Sequence, residues 1–402
     1  MSPNKSIAIV GAGLMGRLTA LTLHRQGYEV TLLDKDDKDG KNSAGYAAAG
    51  LLTPFGESID CESNIVEMGL ASLKLWPELL STLDEHVFFQ QKGALMVSHE
   101  QDKGDYNRIS RFISNHYPQA QIQHLDRQGI ESLEPELGRS FNQGIYLPVE
   151  GQIGNRRLMK ALAKQLASED VNWQSNTEVE NIESLEDSAS IQTEQNNKIE
   201  TRTFDLVVDC RGVGAIESKH HDELNKLKDL RAVRGELFQL YAPNVTLKRP
   251  VRLMHPRYQL YIAPKDKGYF VVGATEIESD DTSPMTVRSA MELLSAAYSV
   301  HPGFAEANIR QHISQRRPAF SDNQPKILHS KHVIQVNGLY RHGFLIAPVV
   351  LKQIESVVYL KLKAKTQSTH SQENFPKDID ALPYSHWIQL HAINTNIMEA
   401  QL

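Results

Sequence analysis

The strongest constraint on the fold of this 402-residue chain lies in its first 34 residues. A short apolar run at 7–10 is followed by a glycine-rich turn, a helical stretch at 14–26, Gly27 and a second apolar run at 29–33. Short apolar runs bounded by glycine predict buried strands, and a helix that connects two such strands makes them parallel. The chain therefore begins with a strand–helix–strand unit of an α/β sheet.

The turn of this unit carries Gly11, Gly13 and Gly16, and the second strand ends at Asp34. The first glycine permits a tight turn, the second lets the backbone approach a pyrophosphate, and the third lets the helix pack closely on the strand. An acid in the place of Asp34 accepts hydrogen bonds from a ribose and argues against a 2′-phosphate. The pattern predicts a dinucleotide site; glycines of an α/β turn without a ligand are the alternative. The motif alone leaves FAD and NAD both open.

Composition narrows the function further. The net charge of −6 supplies no basic field, which argues against nucleic acid as the principal partner. Only Cys61 and Cys210 occur, so a disulfide framework and a multi-cysteine metal site are excluded and a reducing compartment fits. The first apolar run is too short for a signal peptide, and we expect no later stretch to approach the roughly 18 apolar residues of a membrane span. We expect a cytoplasmic chain without a membrane span.

Strands and helices are expected to segregate along the chain. Another buried strand is predicted at 204–209, and short runs bounded by Gly or Pro predict an antiparallel sheet from 93–98, 235–240, 258–263 and 269–273. Helices are predicted at 65–80, 156–167, 287–299 and 349–362. The fold class is α/β plus α+β: a Rossmann-like nucleotide-binding domain, threaded discontinuously, with a mostly antiparallel second sheet. Its predicted segments are 1–80, 145–215 and 305–365; the second domain takes 81–144 and 216–304, and 366–402 is a polar linker and tail without an assigned role.

The segment 42–54 is rich in small residues and resembles the loop after the second strand in flavin-dependent oxidases of the D-amino-acid oxidase family, particularly the glycine oxidases of thiamine biosynthesis. Further stretches match that family in the same order: 150–156, 209–212, 233–236, 260–264 with 272–275, and 317–318 with 338–348. The resemblance covers about residues 7–360. It favours FAD over NAD, since the matches after Gly50 belong to flavoproteins.

The resemblance implies a set of cofactor-binding residues, with Val179 at the adenine and Cys210 and Gly212 near the pyrophosphate. The full set is Gly11, Gly13, Leu14, Met15, Gly16, Asp34, Lys35, Asn42, Ser43, Ala47, Ala48, Ala49, Gly50, Leu51, Val179, Cys210, Gly212, Gly338, Arg341, His342, Gly343, Phe344 and Leu345. Related sarcosine oxidases tether their flavin to a cysteine after the Arg-Pro pair, and none follows Arg317-Pro318 here. We therefore expect non-covalent FAD.

The resemblance also implies how a substrate is held. Arg317 would clamp a carboxylate through two parallel hydrogen bonds, Tyr261 would donate its hydroxyl to the same group, and Arg341 would lie nearby. A helix starting at Val349, with Pro348 in its first turn, would stabilise charge on the reduced flavin. Without the matching motifs, a surface ion pair for Arg317 and a core aromatic for Tyr261 would be the better interpretations.

The expected activity is oxidation of glycine or another small amino acid, with hydride transfer from Cα to flavin N5, an imine that hydrolyses to an oxo acid, and hydrogen peroxide formed from oxygen. No general base is assigned. A D-amino-acid or sarcosine dehydrogenase that uses a quinone or carrier protein, and a flavin-binding accessory protein, remain alternatives. The oligomeric state is open, with a homo-oligomer among the options.

Departures from the family pattern at Gln315, Leu339 and His342 lie close to the expected flavin and substrate. The chain has Gln315-Arg-Arg-Pro318 where the family usually has Gly-Leu-Arg-Pro, and Leu339-Tyr-Arg-His342 where it has His-Tyr-Arg-Asn or His-Phe-Arg-Asn. The cluster His220-His221-Asp222-Glu223 is interpreted as a solvated helix face, not as a metal site. The departures make the identity of the amine less certain than the cofactor.

Overall fold

Strands and helices alternate near both ends of the chain and separate in its middle. The computed structural model describes residues 4–195, 198–216, 227, 229–256, 260–363 and 384–392. The strands are β1 (Ser6–Val10), β2 (Glu29–Leu33), β3 (Leu51–Leu52), β4 (Phe89–Gln90), β5 (Ala94–Ser98), β6 (Gln123–Asp126), β7 (Gln143–Leu147), β8 (Gly151–Ile153), β9 (Asn172–Gln174), β10 (Glu178–Ser184), β11 (Ala189–Gln195), β12 (Lys198–Phe204), β13 (Leu206–Asp209), β14 (Arg231–Tyr241), β15 (Val251–Leu253), β16 (Leu260–Pro264), β17 (Tyr269–Gly273), β18 (Ile277–Glu278), β19 (Asn308–Ala319), β20 (Lys326–His329), β21 (Val333–Asn337) and β22 (Gln389–Ala392). The helices are α1 (Leu14–Arg25), α2 (Ala44–Ala47), α3 (Pro54–Glu57), α4 (Ser63–Ser81), α5 (Lys103–His116), α6 (Arg127–Leu133), α7 (Asn155–Ser168), α8 (Val287–Val300) and α9 (Gly343–Lys363).

The opening unit folds as predicted and lies inside a seven-stranded sheet of order β22-β20-β21-β13-β1-β2-β9. Strand β1 pairs in parallel with β2 on one side and with β13 on the other. Helices α1, α4, α7 and α9 supply the apolar side chains that cover one face, and the three-stranded sheet β10–β12 covers the other. Both faces are buried, which explains why the strand sequences are continuous apolar runs.

The second sheet has nine strands, and its path of paired strands runs β18-β14-β17-β16-β15-β5-β7-β6. Strand β19 pairs with β14 along the whole length of β14. Among the described pairings of this sheet, β5 with β15 is parallel and the pairs between consecutive long strands are antiparallel, as the sequence predicts. Helix α8 packs on one face. The other face points toward the nucleotide-binding sheet.

Two segments differ from the sequence expectation. The region from residue 305 was assigned to the nucleotide-binding unit, but β19 belongs to the nine-stranded sheet. Its first half is exposed and polar, so it lacks the apolar alternation that signals a strand. The C-terminal tail was given no role, but β22 pairs in parallel with β20 at the edge of the seven-stranded sheet.

Helix α9 begins at Gly343, not at Val349, so the prediction of Pro348 in the first turn is wrong. A proline inside a helix cannot donate to the carbonyl four residues earlier, which here is that of Phe344. The indole nitrogen of buried Trp76 donates to this Phe344 carbonyl at 3.0 Å instead. The side chain from α4 therefore replaces the hydrogen bond that Pro348 cannot make.

The expectation that no segment approaches the length of a membrane span is also wrong. The helical residues Tyr340–Leu362 are long and apolar enough to cross a membrane by length and composition. Within the fold, 67% of the most apolar 18-residue stretch of this helix is buried, chiefly against α4 and α1. These contacts account for its apolar sequence as that of a core helix.

Some other predictions changed in detail or lie outside the described part. The predicted strand 204–209 divides at Asp205 into the end of β12 and β13. Asp205 accepts hydrogen bonds from Lys5 and Ser6 beside the start of β1. The cluster His220–Glu223, residues 258–259 of the predicted strand 258–263, and most of the linker 366–380 and the tail lie outside the described residues.

Candidate functional site

A large cavity of about 1190 Å³ lies between the two sheets. One end is formed by the glycine-rich turn, Asp34 and Val179, and the other by Tyr261 and Arg317. The carboxyl ends of β1, β2 and β13 open on the first end, where parallel α/β sheets bind ligands. A ligand with a nucleotide at one end and a reacting group at the other would fit along this cavity.

The glycine turn has the geometry that a pyrophosphate site requires. A Cβ atom on Gly16 would overlap the carbonyl oxygen of Gly11, so the helix and the turn touch through their backbones. Gly11 itself adopts φ +97°, which favours glycine. By contrast, a Cβ atom on Gly13 would meet nothing within 4 Å, because that position faces the cavity. The amide end of α1 is thus open to a phosphate.

Asp34 lies at the predicted position beside this turn. Its carboxylate accepts hydrogen bonds from the Ala12 amide and, at 2.8 Å, from the Asp36 amide. Burial raises the pKa of Asp34 above its ordinary value, and these two amides partly offset the shift. One carboxyl group therefore orders both the glycine turn and the loop after β2 at the edge of the cavity.

The small-residue segment 42–54 passes close to the cavity as a short helix and strand. Ser43 caps α2 by accepting from the Tyr46 amide at 3.2 Å. Gly50 has φ +67°, and a Cβ atom there would overlap the carbonyl oxygen of Ile153. Asn155 donates to the Tyr46 carbonyl at 2.9 Å. The small side chains let this segment lie against α7 and β8 while lining the cavity.

On the opposite wall, Arg211 joins the end of β13 to β10. It pairs with Asp209 at 2.9 Å and donates to the Val179 carbonyl at 3.1 Å. Cys210 between them is buried enough that the pKa of its thiol is raised well above its ordinary value. A thiol held neutral by burial is a packing group and not a nucleophile.

At the other end of the cavity, the nine-stranded sheet presents one row of side chains. Arg252 pairs with Tyr261, Tyr261 with Gly273, and Gly273 with Leu237 on successive strands. Residues directly opposite in a sheet point to the same face. Arg317 on β19 joins this face through its pairing with Val233, which has the same alternation as Leu237. The register therefore brings Tyr261 and Arg317 to one surface.

Arg317 is held by backbone contacts and not by an acid. Its Nη1 donates to the Thr275 carbonyl at 3.2 Å. Thr275 is in turn fixed to Glu236, whose backbone amide donates to the Thr275 hydroxyl at 2.9 Å. In the part of the chain that the structure describes, no carboxylate forms an ion pair with Arg317. Most of its N–H groups are therefore available to a ligand.

Arg341 lies in the opposite electrostatic situation. It is within 2.9 Å of both Glu57 and Glu276 and 3.5 Å from Asp60. Burial would raise the pKa of Glu57, but the charges of Arg252 and Arg341 lower it to about 2. The Glu57 carboxylate also accepts from Arg252. Arg252 and Arg341 are thus paired with acids at the cavity wall, whereas Arg317 beside Tyr261 has no paired acid among the described residues.

Tyr261 is suited to donate a hydrogen bond at neutral pH. Burial raises the pKa of its phenol to about 12, although the charge of Arg317 acts in the opposite direction. The hydroxyl therefore keeps its proton. A protonated phenol and a guanidinium on one surface make a complementary site for a carboxylate.

The three departures from the family pattern have structural roles in the walls. Gln315 donates through Nε2 to the Asn42 carbonyl at 2.6 Å, which joins β19 to the small-residue segment. Leu339 lines the cavity and also belongs to the apolar core. His342 is buried, and burial lowers its pKa to about 3. It is therefore neutral at physiological pH.

All predicted cofactor and substrate residues line the cavity except Gly16 and Gly338. Gly16 serves the close packing described above. Gly338 has φ +77°, and a Cβ atom there would overlap the Phe320 ring. The roles of the lining residues remain predictions. Gly343, Phe344 and Leu345 lie at the start of α9, whose N-terminal end opens on the cavity.

Sequence reasoning missed several residues of the wall, namely Glu57, Gly235, Arg252, Thr275 and Glu276, and it missed Gly273, which lies against Tyr261. The Glu57–Arg252 pair joins positions 195 residues apart, and no local pattern reveals such a pairing. Gly235 and Gly273 lay in segments that matched the family, but their significance depends on the side chains that lean over them. Only the strand register makes that contact visible.

Comparisons with known proteins agree with this geometry. A model of the family DAO, described as FAD dependent oxidoreductase, matches residues 6–353. The chain is 35% identical over 348 residues to a protein of Rhizobium etli assigned as the thiamine biosynthesis oxidoreductase ThiO, which covers 87% of this chain and 94% of that protein.

Solved structures share the fold. Glycine oxidase from Geobacillus kaustophilus superposes with a TM-score of 0.74 at 23% identity, covering 93% of this chain and 99% of that one. Iminodiacetate oxidase from Chelativorans sp. has the same TM-score at 21% identity, covering 96% and 100%. At these identities the likeness supports the fold alone.

Replacing Gly13 by Val tests the dinucleotide end. The protein has space for the side chain, since nothing lies within 4 Å of a Cβ atom there, so we expect the variant to fold. The same side chain would occupy the space of the pyrophosphate, and we expect colourless protein. Flavin absorbance after acid release measures the loss. Full FAD occupancy in Gly13→Val would place the pyrophosphate elsewhere.

Replacing His342 by Asn, the residue usual in the family, should make the protein less sensitive to acid. The folded histidine has a pKa of about 3 and its ordinary value is 6.5, so between these values the unfolded chain binds a proton that the folded chain does not. Stability from this group is therefore lost as the pH falls through that window. At pH 4.5 the wild type should lose roughly 2 to 3 kcal/mol through this group that His342→Asn does not lose.

Urea unfolding at pH 7.5 and 4.5 in excess FAD measures this difference, with the exposed His116→Asn as the matched control. Equal pH dependence in His342→Asn and the wild type would contradict the prediction.

Proposed function

The chain belongs to the DAO family of FAD dependent oxidoreductases, and on that basis we propose that it oxidises glycine or another small amino acid. Its relatives include a protein named as ThiO and a protein named as a glycine oxidase. The 35% identity to ThiO over most of both chains supports a role in thiamine biosynthesis, where the oxidised amine would feed thiazole assembly. Molecular oxygen is the proposed electron acceptor, with hydrogen peroxide as product.

The observation that carries the proposal is the pair formed by Arg317 and Tyr261 at the end of the cavity opposite Asp34. Arg317 has a planar fork of donors with one partner, the Thr275 carbonyl, among the described residues. Tyr261 adds a neutral hydroxyl on the same surface. Two parallel charge-assisted hydrogen bonds from Arg317 and a third from Tyr261 would fix a substrate carboxylate.

The protein's contribution to the chemistry is orientation. When bound, FAD supplies a hydride acceptor at N5, and loss of hydride from Cα gives an imine that water hydrolyses to an oxo acid. With the carboxylate fixed by Arg317 and Tyr261, the Cα–H bond can point in only a narrow range of directions. The oxygens of Glu57 are engaged by Arg252 and Arg341, so this ionised carboxylate is not a free base. The amine would therefore enter in its neutral form, and no protein base is assigned.

The proposed substrate class is tested by mixing the holoprotein anaerobically with glycine, sarcosine, iminodiacetate, and D- and L-amino acids while following flavin absorbance. We expect the fastest bleaching with glycine and sarcosine. Peroxide formation in air then distinguishes an oxidase from a dehydrogenase that passes electrons to a quinone. A bulky D-amino acid that reduces the flavin far faster than glycine and sarcosine would overturn the assignment.

Replacing Arg317 by Ala tests the clamp. Loss of a bidentate charge-assisted pair should cost on the order of 2 to 5 kcal/mol, so reduction of the flavin by glycine should weaken by a factor in the tens to thousands. Flavin content should be unchanged, because the contact of Arg317 is with the Thr275 carbonyl and not with the glycine turn or Asp34. Arg317→Lys should recover little activity, since an ammonium group lacks the planar fork.

Arg316→Ala is the matched control, because adjacent residues of β19 point to opposite faces. If Arg316→Ala abolishes reduction by glycine while Arg317→Ala does not, the clamp has been assigned one residue too far along the strand.

A further inference from the structure

Among the described residues no acid holds the clamp arginine, so its position depends on the residue that it lies against. That support is Gly235 on β14, two strand positions from the residue that pairs with Arg317. A Cβ atom on Gly235 would overlap Nη2 and Cζ of Arg317 and lie 2.7 Å from Nη1. The guanidinium therefore occupies the space beside the β14 backbone that any side chain at position 235 would fill.

The second clamp residue is supported in the same way. Tyr261 pairs with Gly273 on β17, and a Cβ atom on Gly273 would lie 2.8 Å from the Tyr261 hydroxyl oxygen. Both glycines are buried in the sheet and neither has a positive φ. Backbone conformation therefore does not require glycine at these positions. The requirement comes from the side chains lying over them.

We propose that Gly235 is a positioning residue for substrate binding. The space left by its missing side chain, which we call the seat, holds the Arg317 guanidinium within reach of the substrate carboxylate. The inference rests on the proposed role of Arg317 as the carboxylate clamp. It adds a requirement that the clamp motif does not contain. A chain with Arg317 and Tyr261 in place but a larger residue at 235 would hold its arginine elsewhere.

The physical argument depends on which atoms would move. The atoms that a methyl group at position 235 would displace are the far end of a flexible side chain, not backbone. The sheet can therefore accept the methyl group if the guanidinium shifts. The shift breaks the hydrogen bond from Nη1 to the Thr275 carbonyl. It also turns the N–H donors of the guanidinium away from the position proposed for the substrate carboxylate. Bidentate recognition is directional, so the loss should appear in carboxylate binding.

The experiment is a double-mutant cycle on the FAD-loaded protein. Acetate, a carboxylate without an amine, is titrated while flavin absorbance is followed, in wild type, Gly235→Ala, Arg317→Ala and the double variant. We expect Gly235→Ala to raise the dissociation constant of acetate at least tenfold. In the Arg317→Ala background the same substitution should change it less than twofold, because no guanidinium is left to displace. FAD content should match the wild type in all four proteins.

Each outcome decides a different question. If Arg317→Ala leaves acetate binding unchanged, the clamp in the proposed function is wrong. If Arg317→Ala weakens binding and Gly235→Ala does not, the seat is wrong and the clamp stands. If Gly235→Ala weakens binding equally in both backgrounds, the effect is general damage to the sheet and the seat is again wrong.

Folding of the variants supplies a second criterion. If Gly235→Ala alone does not fold but the double variant does, the clash is with Arg317 and the inference is supported. If neither folds, the methyl group collides with something else and the inference fails. Gly104→Ala, on the exposed face of α5 with nothing within 4 Å of its Cβ position, controls for the substitution itself.

Discussion

The rest of the structure depends on the tight backbone packing between Gly16 and the carbonyl oxygen of Gly11. Because no Cβ atom fits between them, the first turn of α1 lies directly on the end of β1. That contact aims the amide end of α1 into the cavity and lets Asp34 reach the Ala12 amide. The nucleotide end of the cavity thereby has a fixed position relative to the sheet, and the substrate end has to be built at the distance that the ligand spans.

The substrate end also depends on glycines that leave space, but there the space is filled by side chains of the protein. Glycine at the nucleotide end makes room for a ligand, whereas Gly235 and Gly273 make room for the residues that hold a ligand. The neighbouring acids are engaged by other arginines, so they do not compete with a substrate carboxylate for Arg317. Arg341 and Arg252 are paired with Glu57, and Arg317 is left to a backbone carbonyl. Among the described residues, the arginine that no acid engages is thus the one on the surface proposed to hold a substrate carboxylate.

The sequence predicted the parts of the molecule whose signal is local. The opening β1–α1–β2 unit, four of the nine strands of the second sheet (β5, β14, β16 and β17) and the long helices other than α5 follow from periodicity and glycine turns, since their apolar faces repeat along the chain. The misses have a common cause. Strand β19 is polar because its first half is exposed, and helix α9 tolerates Pro348 because Trp76, from a distant helix, satisfies the Phe344 carbonyl. Contacts with residues far away in the sequence produce no recognisable pattern in the segment itself.

The departures from the family pattern can be judged by the same distinction between local and distant partners. Gln315 shares the face of Arg317, two strand positions away, but it reaches across to the Asn42 carbonyl and not to the clamp. Leu339 lines the cavity and is part of the apolar core, and His342 is buried and neutral between Glu57 and the arginines. None of the three forms a hydrogen bond with Arg317 or Tyr261 among the described residues. The substitutions change how the wall is braced, while the guanidinium, the phenol and the two glycines beneath them keep the surface that a carboxylate requires. In this fold, the identity of the clamp is therefore carried by the register of four strands and not by the sequence motif around it.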